Sequence, residues 1–183
     1  MKAYLLAAAL IGLNASASTS ASIMTLGGSL ARSCFEAADD RRASFQNLQI
    51  CDRALTEEPL ATSDRVATFV NRGILRLASN NLLGANRDFD SALALNANEP
   101  DAWLNKGITQ IREGKTEAAL AMIDRAIQLR TRRPALAYYA RGLVHEDLGG
   151  LRQAYADLVR ARELEPGWND PAIELRRYTV ARR

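Results

Sequence analysis

Two cysteines and a single histidine are the residues of this 183-residue chain best suited to covalent or metal chemistry. The cysteines are Cys34 and Cys51, and the histidine is His145. A metal site needs several ligands, and no second histidine is available to join His145. The two thiols are better suited to reacting with each other, so a disulfide is the chemistry that these residue types favour.

The sequence lacks the motifs of other kinds of catalysis. The acidic pairs 39–40 and 57–58 fall in predicted turns, where solvated charge explains them. The glycines of "LGG" at 148–150 are not followed by the lysine and hydroxyl residue of a phosphate-binding loop. No serine, histidine and acid arrangement suggests a nucleophile. We therefore expect no enzyme activity, no cofactor and no metal, and a structural role for His145.

Residues 1–17 have the parts of a cleaved export signal. Lys2 precedes the apolar run "AYLLAAALIGL", and Ala15 and Ala17 form the small-x-small pattern that signal peptidase accepts. The apolar run is shorter than the ~20 residues that span a bilayer. We expect a mature protein in the periplasm or outside the cell; a buried N-terminal helix is the alternative. Residues 18–28 are small and polar, which predicts a disordered leader without chemistry.

The composition is that of an ordinary folded domain. Hydrophobic residues make up 48% and charged residues 25% of the chain, so we expect one soluble domain. The net charge is +3 with acids and bases interleaved, which gives no broad nucleic-acid footprint. An exception is the cluster of Arg176, Arg177, Arg182 and Arg183. It fits a solvated helix end and tail, or contact with an anionic partner.

Three glycines mark an internal repeat, with spacings of 34 and 35 residues. An aromatic residue stands four positions before each glycine, an alanine twelve after it and a large apolar residue sixteen after it. Small residues allow two helices to cross closely, and large ones fill the space around the crossing. The residues of this frame are Phe69, Gly73, Ala85 and Phe89; Trp103, Gly107, Ala119 and Ile123; and Tyr138, Gly142, Ala154 and Leu158, with Pro166 closing the last unit.

This frame resembles that of the tetratricopeptide repeat family, whose 34-residue unit is an antiparallel helix pair with the pattern W-x2-L-G-x2-Y, A-x3-F and P. The resemblance implies an all-α, right-handed solenoid with three repeats in residues 64–168, at about 66–99, 100–134 and 135–168. Two positions depart from the pattern, and we expect both to make an exposed edge more polar. The leucine before the glycine is replaced by a basic residue in all three units: Arg72, Lys106 and Arg141. The tyrosine three positions after the glycine is replaced by a polar residue: Arg76, Gln110 and His145.

Residues 29–63 are predicted to form an earlier, degenerate helix pair. Cys51 begins the phrase "CDRAL", which returns as "FDSAL" and "IDRAI", so it stands where Phe89 and Ile123 stand. Cys34 falls on the partner helix and Phe35 replaces the glycine, which should push the two helices apart. In an exported protein this placement predicts a Cys34–Cys51 disulfide, and two free buried thiols are the alternative. Closing the loop would contribute on the order of 3 kcal/mol.

Residues 169–183 are predicted to form a terminal helix and a basic tail. Asp170 is a candidate N-cap and Pro171 a candidate first helical residue. Solenoids need a polar end unit to stay soluble, so we expect this helix to cover the last pair.

In the family, the first helix of each pair lines a concave face, and the resemblance implies a mostly apolar stripe of candidate binding residues here. Part of the stripe must be packing between repeats; a groove for a peptide or partner protein is the other interpretation. Family members that bind chaperone tails hold the C-terminal carboxylate with a clamp of lysine, arginine and asparagine residues. Only Asn105 matches this clamp here, so binding of chaperone tails is not implied. The candidates are Val70, Asn71, Ile74, Leu77, Leu104, Asn105, Ile108, Ile111, Tyr139 and Leu143.

We therefore expect a non-catalytic protein-interaction module with a protein or peptide partner. Two alternatives remain open: a polyanion or envelope-surface binder acting through the arginine-rich C-terminus, and an accessory subunit of an enzyme complex. Neither a nucleic-acid partner nor a membrane span is expected, and the oligomeric state stays open.

Overall fold

The computed structural model of the protein describes residues 23–24 and 29–178, and helices dominate this part of the chain. No strand occurs in these ranges. The predicted signal and most of the predicted leader lie outside the described residues. The helices are α1 (Ser29–Asp39), α2 (Phe45–Glu57), α3 (Thr62–Ala78), α4 (Leu82–Leu95), α5 (Pro100–Arg112), α6 (Thr116–Gln128), α7 (Pro134–Asp147), α8 (Leu151–Leu164) and α9 (Asn169–Leu175).

Consecutive helices form pairs, and the pairs stack in chain order. α1 packs on α2, α3 on α4, α5 on α6 and α7 on α8, and each pair contacts the next. The first helices α1, α3, α5 and α7 also contact one another in order. The prediction of an all-α solenoid of helix pairs is confirmed.

The three glycines of the repeat lie where the two helices of a pair cross. A Cβ atom on Gly73 would stand 2.5 Å from Cε1 of Phe89, and one on Gly107 would stand 2.7 Å from Cγ1 of Ile123. Both distances are too short for a methyl group, so the absence of a side chain permits the crossing. At Gly142 the corresponding distance, to Cγ of Leu158, is 3.1 Å.

The core runs along the solenoid as two apolar clusters. One cluster lies mainly on α1 to α4 and includes Val70 and Phe89, while the other lies mainly on α5 to α8 and includes Leu104 and Leu158. Ile108 packs against both clusters. The middle of α5 therefore joins the two halves of the core.

Side chains and left-handed residues set the helix ends. Ser44 Oγ accepts a hydrogen bond from the backbone N–H of Asn47 at the start of α2, which satisfies a donor that the helix leaves unpaired. The main-chain N–H groups of Leu30 and Ala31 donate to the Glu58 carboxylate at 2.8 and 3.1 Å, so a negative charge lies at the positive end of α1. Beyond the end of α5, Gly114 takes φ 71°, which glycine adopts without strain.

α9 begins earlier than the sequence indicates. Its first residue is Asn169 and its N-cap is Trp168, so the prediction of Asp170 as the N-cap is wrong by two positions. Trp168 is 4% exposed and its ring lies 4.7 Å from that of Tyr139, centroid to centroid. This aromatic contact fixes the chain where the helix starts, and Asp170 then lies in the first turn.

Candidate functional site on the first helices of the pairs

Most of the predicted concave stripe is packed inside the molecule. Seven of its ten residues are buried: Val70, Asn71, Ile74, Leu77, Leu104, Asn105 and Tyr139. The other three, Ile108, Ile111 and Leu143, are partly exposed. The partly accessible apolar part of the stripe therefore lies on α5 and α7, where these three side chains also pack against the core.

The C-terminal end of the stripe is covered by aromatic side chains. Tyr139 packs against Trp168. Burial raises the pKa of the Tyr139 phenol, and the negative charges of Glu174 and Asp170 raise it further. Tyr178 Oη donates to Glu146 at 3.0 Å and its ring faces that of Tyr155. The terminal segment therefore lies on the last pair, as a covering helix should.

The other end of the stripe is occupied by a residue from before α1. The backbone N–H of Ile23 donates to Asn71 Oδ1 at 2.8 Å, and Asn71 Nδ2 donates to the carbonyl of Ile23 at 2.7 Å. Ile23 is 6% exposed and belongs to the first apolar cluster. The prediction that residues 18–28 form a disordered leader without chemistry is therefore wrong at Ile23. The signal in the sequence was weak: "IM" is an apolar pair in a run of small polar residues.

Asn105 holds the same repeat position as Asn71, one repeat later, but its amide bonds differently. Asn105 Nδ2 donates to the carbonyl of Asp101, one turn back on α5, at 2.8 Å. The Asp101 carboxylate in turn accepts from Thr131 and from Arg132, just before α7. In this repeat the polar side chains therefore link α5 to the connection between α6 and α7.

The basic residues before the glycines are ion-paired between neighbouring helix pairs. Arg72 lies 2.6 Å from both Asp52 on α2 and Asp88 on α4, and its side chain is 14% exposed. Burial raises the pKa of the Asp88 carboxyl, and the facing arginines offset part of that rise. The expectation that Arg72 lies on an exposed edge is therefore wrong. Aspartates on two neighbouring helices bind its guanidinium group and cover it.

The same arrangement recurs along the solenoid. Arg141 lies 2.7 Å from Asp124 and 2.8 Å from Asp157, and Lys106 lies 2.5 Å from Asp90. Asp52, Asp90 and Asp124 are the second letters of "CDRAL", "FDSAL" and "IDRAI". Each contacts the basic residue of the next pair, so the aspartate of the recurring phrase was the signal that sequence reasoning missed.

The two cysteines form the bond that the sequence predicted. The disulfide joins Cys34 on α1 to Cys51 on α2 with a Cα–Cα distance of 5.0 Å, and both residues are 0% exposed. Phe35, expected to separate the helices, is partly buried. Cys34 is bonded to Cys51, which holds the packing position of the second helix.

The remaining candidates for other chemistry in the described ranges, 23–24 and 29–178, have structural surroundings. His145 Nε2 lies 3.8 Å from Asp157 Oδ2, among the ion pairs of the last repeat. No group of three or more potential metal ligands occurs in these ranges. None of the helices there has both the length and the apolar character that crossing a membrane requires.

Solved structures resemble this chain, although no protein-family profile and no curated protein matches it. The first TPR domain of Spaghetti (RPAP3), solved with an HSP90 peptide, superposes with a TM-score of 0.59 at 23% identity, covering 63% of this chain and 90% of that domain. This chain has the tetratricopeptide-repeat fold. The TPR domain of Arabidopsis OM64 has a TM-score of 0.59 at 19% identity, covering 65% of this chain and all of that domain. MamA has a TM-score of 0.60 at 20% identity, covering 81% of this chain and 80% of that protein.

Proposed function

We propose that this protein is an exported, non-catalytic interaction module that holds a peptide or partner protein on the face formed by its first helices. The observation that carries the proposal is the accessible apolar patch on α5 and α7, formed by Ile108, Ile111 and Leu143. A repeat solenoid offers such a face as a continuous binding surface. The RPAP3 domain of the same fold was solved with a bound peptide.

The charge distribution favours a protein partner over a polyanion. Arg177, in the basic C-terminal cluster, is ion-paired with Glu146 at 2.8 Å and also contacts Glu174. A guanidinium group engaged by two carboxylates contributes little to an anion site. Polyanion binding would weaken steeply as salt rises, whereas an apolar contact would not.

Export is supported by the signal in residues 1–17 and by the pairing of both cysteines. Structural disulfides persist in oxidising compartments. The mature chain is expected to begin near Ser18 and to be recovered from the periplasm or the medium. Mass spectrometry of the protein purified from cells tests this, and an intact Met1 on cytoplasmic protein would contradict it.

Capture in cells tests the binding face. In-cell crosslinking followed by mass spectrometry identifies the partner, and Ile108→Glu is expected to abolish its capture because the charge falls in the middle of the apolar patch. Leu83→Glu is the matched control: Leu83 is 63% exposed on α4, a second helix, and the change there should leave capture intact. A folded Ile108→Glu protein that captures the partner at full strength would leave packing as the role of the stripe.

A further inference from the structure

A cleft of about 270 Å³ opens between the second helices α6 and α8, beside the start of α7. Its walls are formed by the apolar side chains of Ile127, Pro134 and Leu164 and by Tyr138. Arg130 and Arg160 line it as well. Apolar walls with a few polar groups are the usual composition of a small-molecule site. The cleft therefore suits a compact molecule with an apolar body and an anionic group.

The corresponding place one repeat earlier is occupied by the indole of Trp103. Trp103 stands 35 positions before Tyr138, and its Nε1 donates to the carbonyl of Ala97 at 2.9 Å. Ala97 stands 34 positions before Thr131, which lines the cleft. The indole is thus bonded to the residue that corresponds to the cleft lining, and it takes up space that stays open in the last repeat.

The open space in the last repeat follows from the smaller ring at position 138. A phenol has one ring where an indole has two, and it carries no ring N–H to bond a neighbouring carbonyl. The guanidinium carbon of Arg141 lies 5.3 Å from the centroid of the Tyr138 ring, which is a cation–π contact. Arg141 is itself paired with Asp124 and Asp157, so this contact holds the ring at one side of the cleft.

The two arginines of the cleft have positive charge to offer a ligand. Among the described residues, Arg130 takes part in no ion pair, while Arg160 pairs with Glu163 at 3.1 Å. The side chains of that pair are 53% and 55% exposed, and such a pair contributes little stability, so a ligand anion can take the place of Glu163. In the earlier repeat the counterpart of Arg160 is Arg125, which donates to the neutral amide oxygen of Asn98.

We propose that this cleft, the Tyr138 cleft, binds a small aromatic carboxylate. The ring of the ligand lies where the Trp103 indole lies one repeat earlier, and its carboxylate is held by Arg130 and Arg160. Guanidinium groups match carboxylates with paired N–H donors and stack on aromatic faces, so both parts of the ligand are recognised. The Tyr138 cleft is separate from the apolar patch on the first helices, and the inference goes beyond the proposed function.

Titration with indole-3-acetate tests the proposal. This probe has the ring of a tryptophan side chain and one carboxylate. Chemical shifts of the ¹⁵N-labelled full chain report its binding, and a Kd on the order of 0.1 to 1 mM is expected for a ligand of this size. Indole-3-acetamide has the same ring without the charge, and it is expected to bind at least about 10-fold more weakly.

Filling the cleft is the first variant. Tyr138→Trp is expected to abolish binding, because the indole would occupy the place of the ligand as Trp103 does one repeat earlier. The repeat already accepts tryptophan at this position, so the variant is expected to keep its fold, which circular dichroism checks.

Removing one of the charges is the second variant. Arg160→Gln is expected to weaken the binding of indole-3-acetate at least about 10-fold, because a charged hydrogen bond to the carboxylate is lost. Arg152→Gln is the matched control: Arg152 is exposed on the same helix and does not line the cleft, so binding should be unchanged.

Any of four results overturns the inference. They are no binding by the wild-type chain at about 10 mM indole-3-acetate, undiminished binding by a folded Tyr138→Trp protein, equal binding by Arg160→Gln and Arg152→Gln, and equal binding of the acetate and the acetamide. The face formed by the first helices is tested by Ile108→Glu, so each of the two sites can fail without the other.

Discussion

In the α3–α4 pair, the helices cross where Gly73 has no side chain and the ring of Phe89 fills the space, whereas in the α1–α2 pair a disulfide occupies the corresponding contact. The α3–α4 pair comes into close contact because Gly73 has no side chain, and the α1–α2 pair because two side chains are covalently bonded. The regular pair depends on packing that any larger residue disrupts. The first pair depends on one covalent bond, and hence on the compartment in which that bond persists.

The positions of the two pairs in the solenoid add to this difference in how they are stabilised. The α3–α4 pair has neighbours on both sides, while α1–α2 packs against α3 on one side only among the described helices. In a solenoid, stability is close to a sum of each unit's own stability and its contacts with neighbours. An end unit therefore has less support from contacts, and the disulfide compensates by restricting its unfolded state.

Removing the covalent bond should have the largest effect. Cys51→Ser is expected to destabilise the first pair by on the order of 3 kcal/mol, because the loop between the two cysteines is no longer closed in the unfolded state. Circular dichroism should show the loss of α1 and α2 while α3 to α8 remain helical.

The double Cys34→Ser, Cys51→Ser protein is the control for effects of a lone thiol and should behave like Cys51→Ser. Free-thiol labelling of both cysteines in native exported protein would contradict the prediction, since it would show that no bond forms.

Filling the glycine crossing should have the next largest effect. Gly73→Ala is expected to cost about 2 kcal/mol in urea unfolding, because its Cβ would overlap the buried ring of Phe89. Gly167→Ala is the matched control: a Cβ there would meet no atom within 4 Å, so a change within about 0.5 kcal/mol is expected. Equal effects at the two glycines would show that the crossing does not decide the cost.

Weakening the contact between pairs should have a smaller effect. Asp124→Asn keeps the size of the side chain but removes the charge facing Arg141, at an expected cost of about 1 kcal/mol. Glu57→Gln in the exposed Arg53–Glu57 pair is the control, and a smaller loss is expected there because solvent screens the two charges. Similar losses at the two sites in urea unfolding would mean that ion pairs between neighbours contribute no more than surface ones.

The smallest effect concerns alkaline pH at the C-terminal end. Burial, together with the hydrogen bond to Glu146, raises the pKa of Tyr178 to about 12. Because the folded state holds this proton more tightly than the unfolded state, the contribution is complete below about pH 10 and is lost as pH rises towards 12. Tyr178→Phe should flatten the decline of stability over this range, and an unchanged pH profile would contradict the assignment.

The repeat frame allowed the fold to be predicted because its signals are local and periodic. Gly73 and Phe89 recur at fixed spacing, and a fixed period of this length indicates stacked helix pairs. The role of Arg72 could not be inferred in the same way, because its two acidic partners lie on different helices. Ile23 was missed for a related reason: one apolar residue has no periodicity, and its partner Asn71 lies 48 positions away.

The aspartates of the recurring phrase give the array a direction along the chain. The two middle units carry both members of the contact, an acid for the next unit and a base for the previous one: Arg72 with Asp90, and Lys106 with Asp124. The first unit carries the acid Asp52 with Cys34 at the base position, and the last carries the base Arg141 with Val159 at the acid position. A duplicated middle unit would therefore find a partner on both sides, whereas copies joined beyond either end would not. Among the described helix pairs, the two middle units are thus interchangeable in this contact, whereas the α1–α2 and α7–α8 pairs each carry only one member of it.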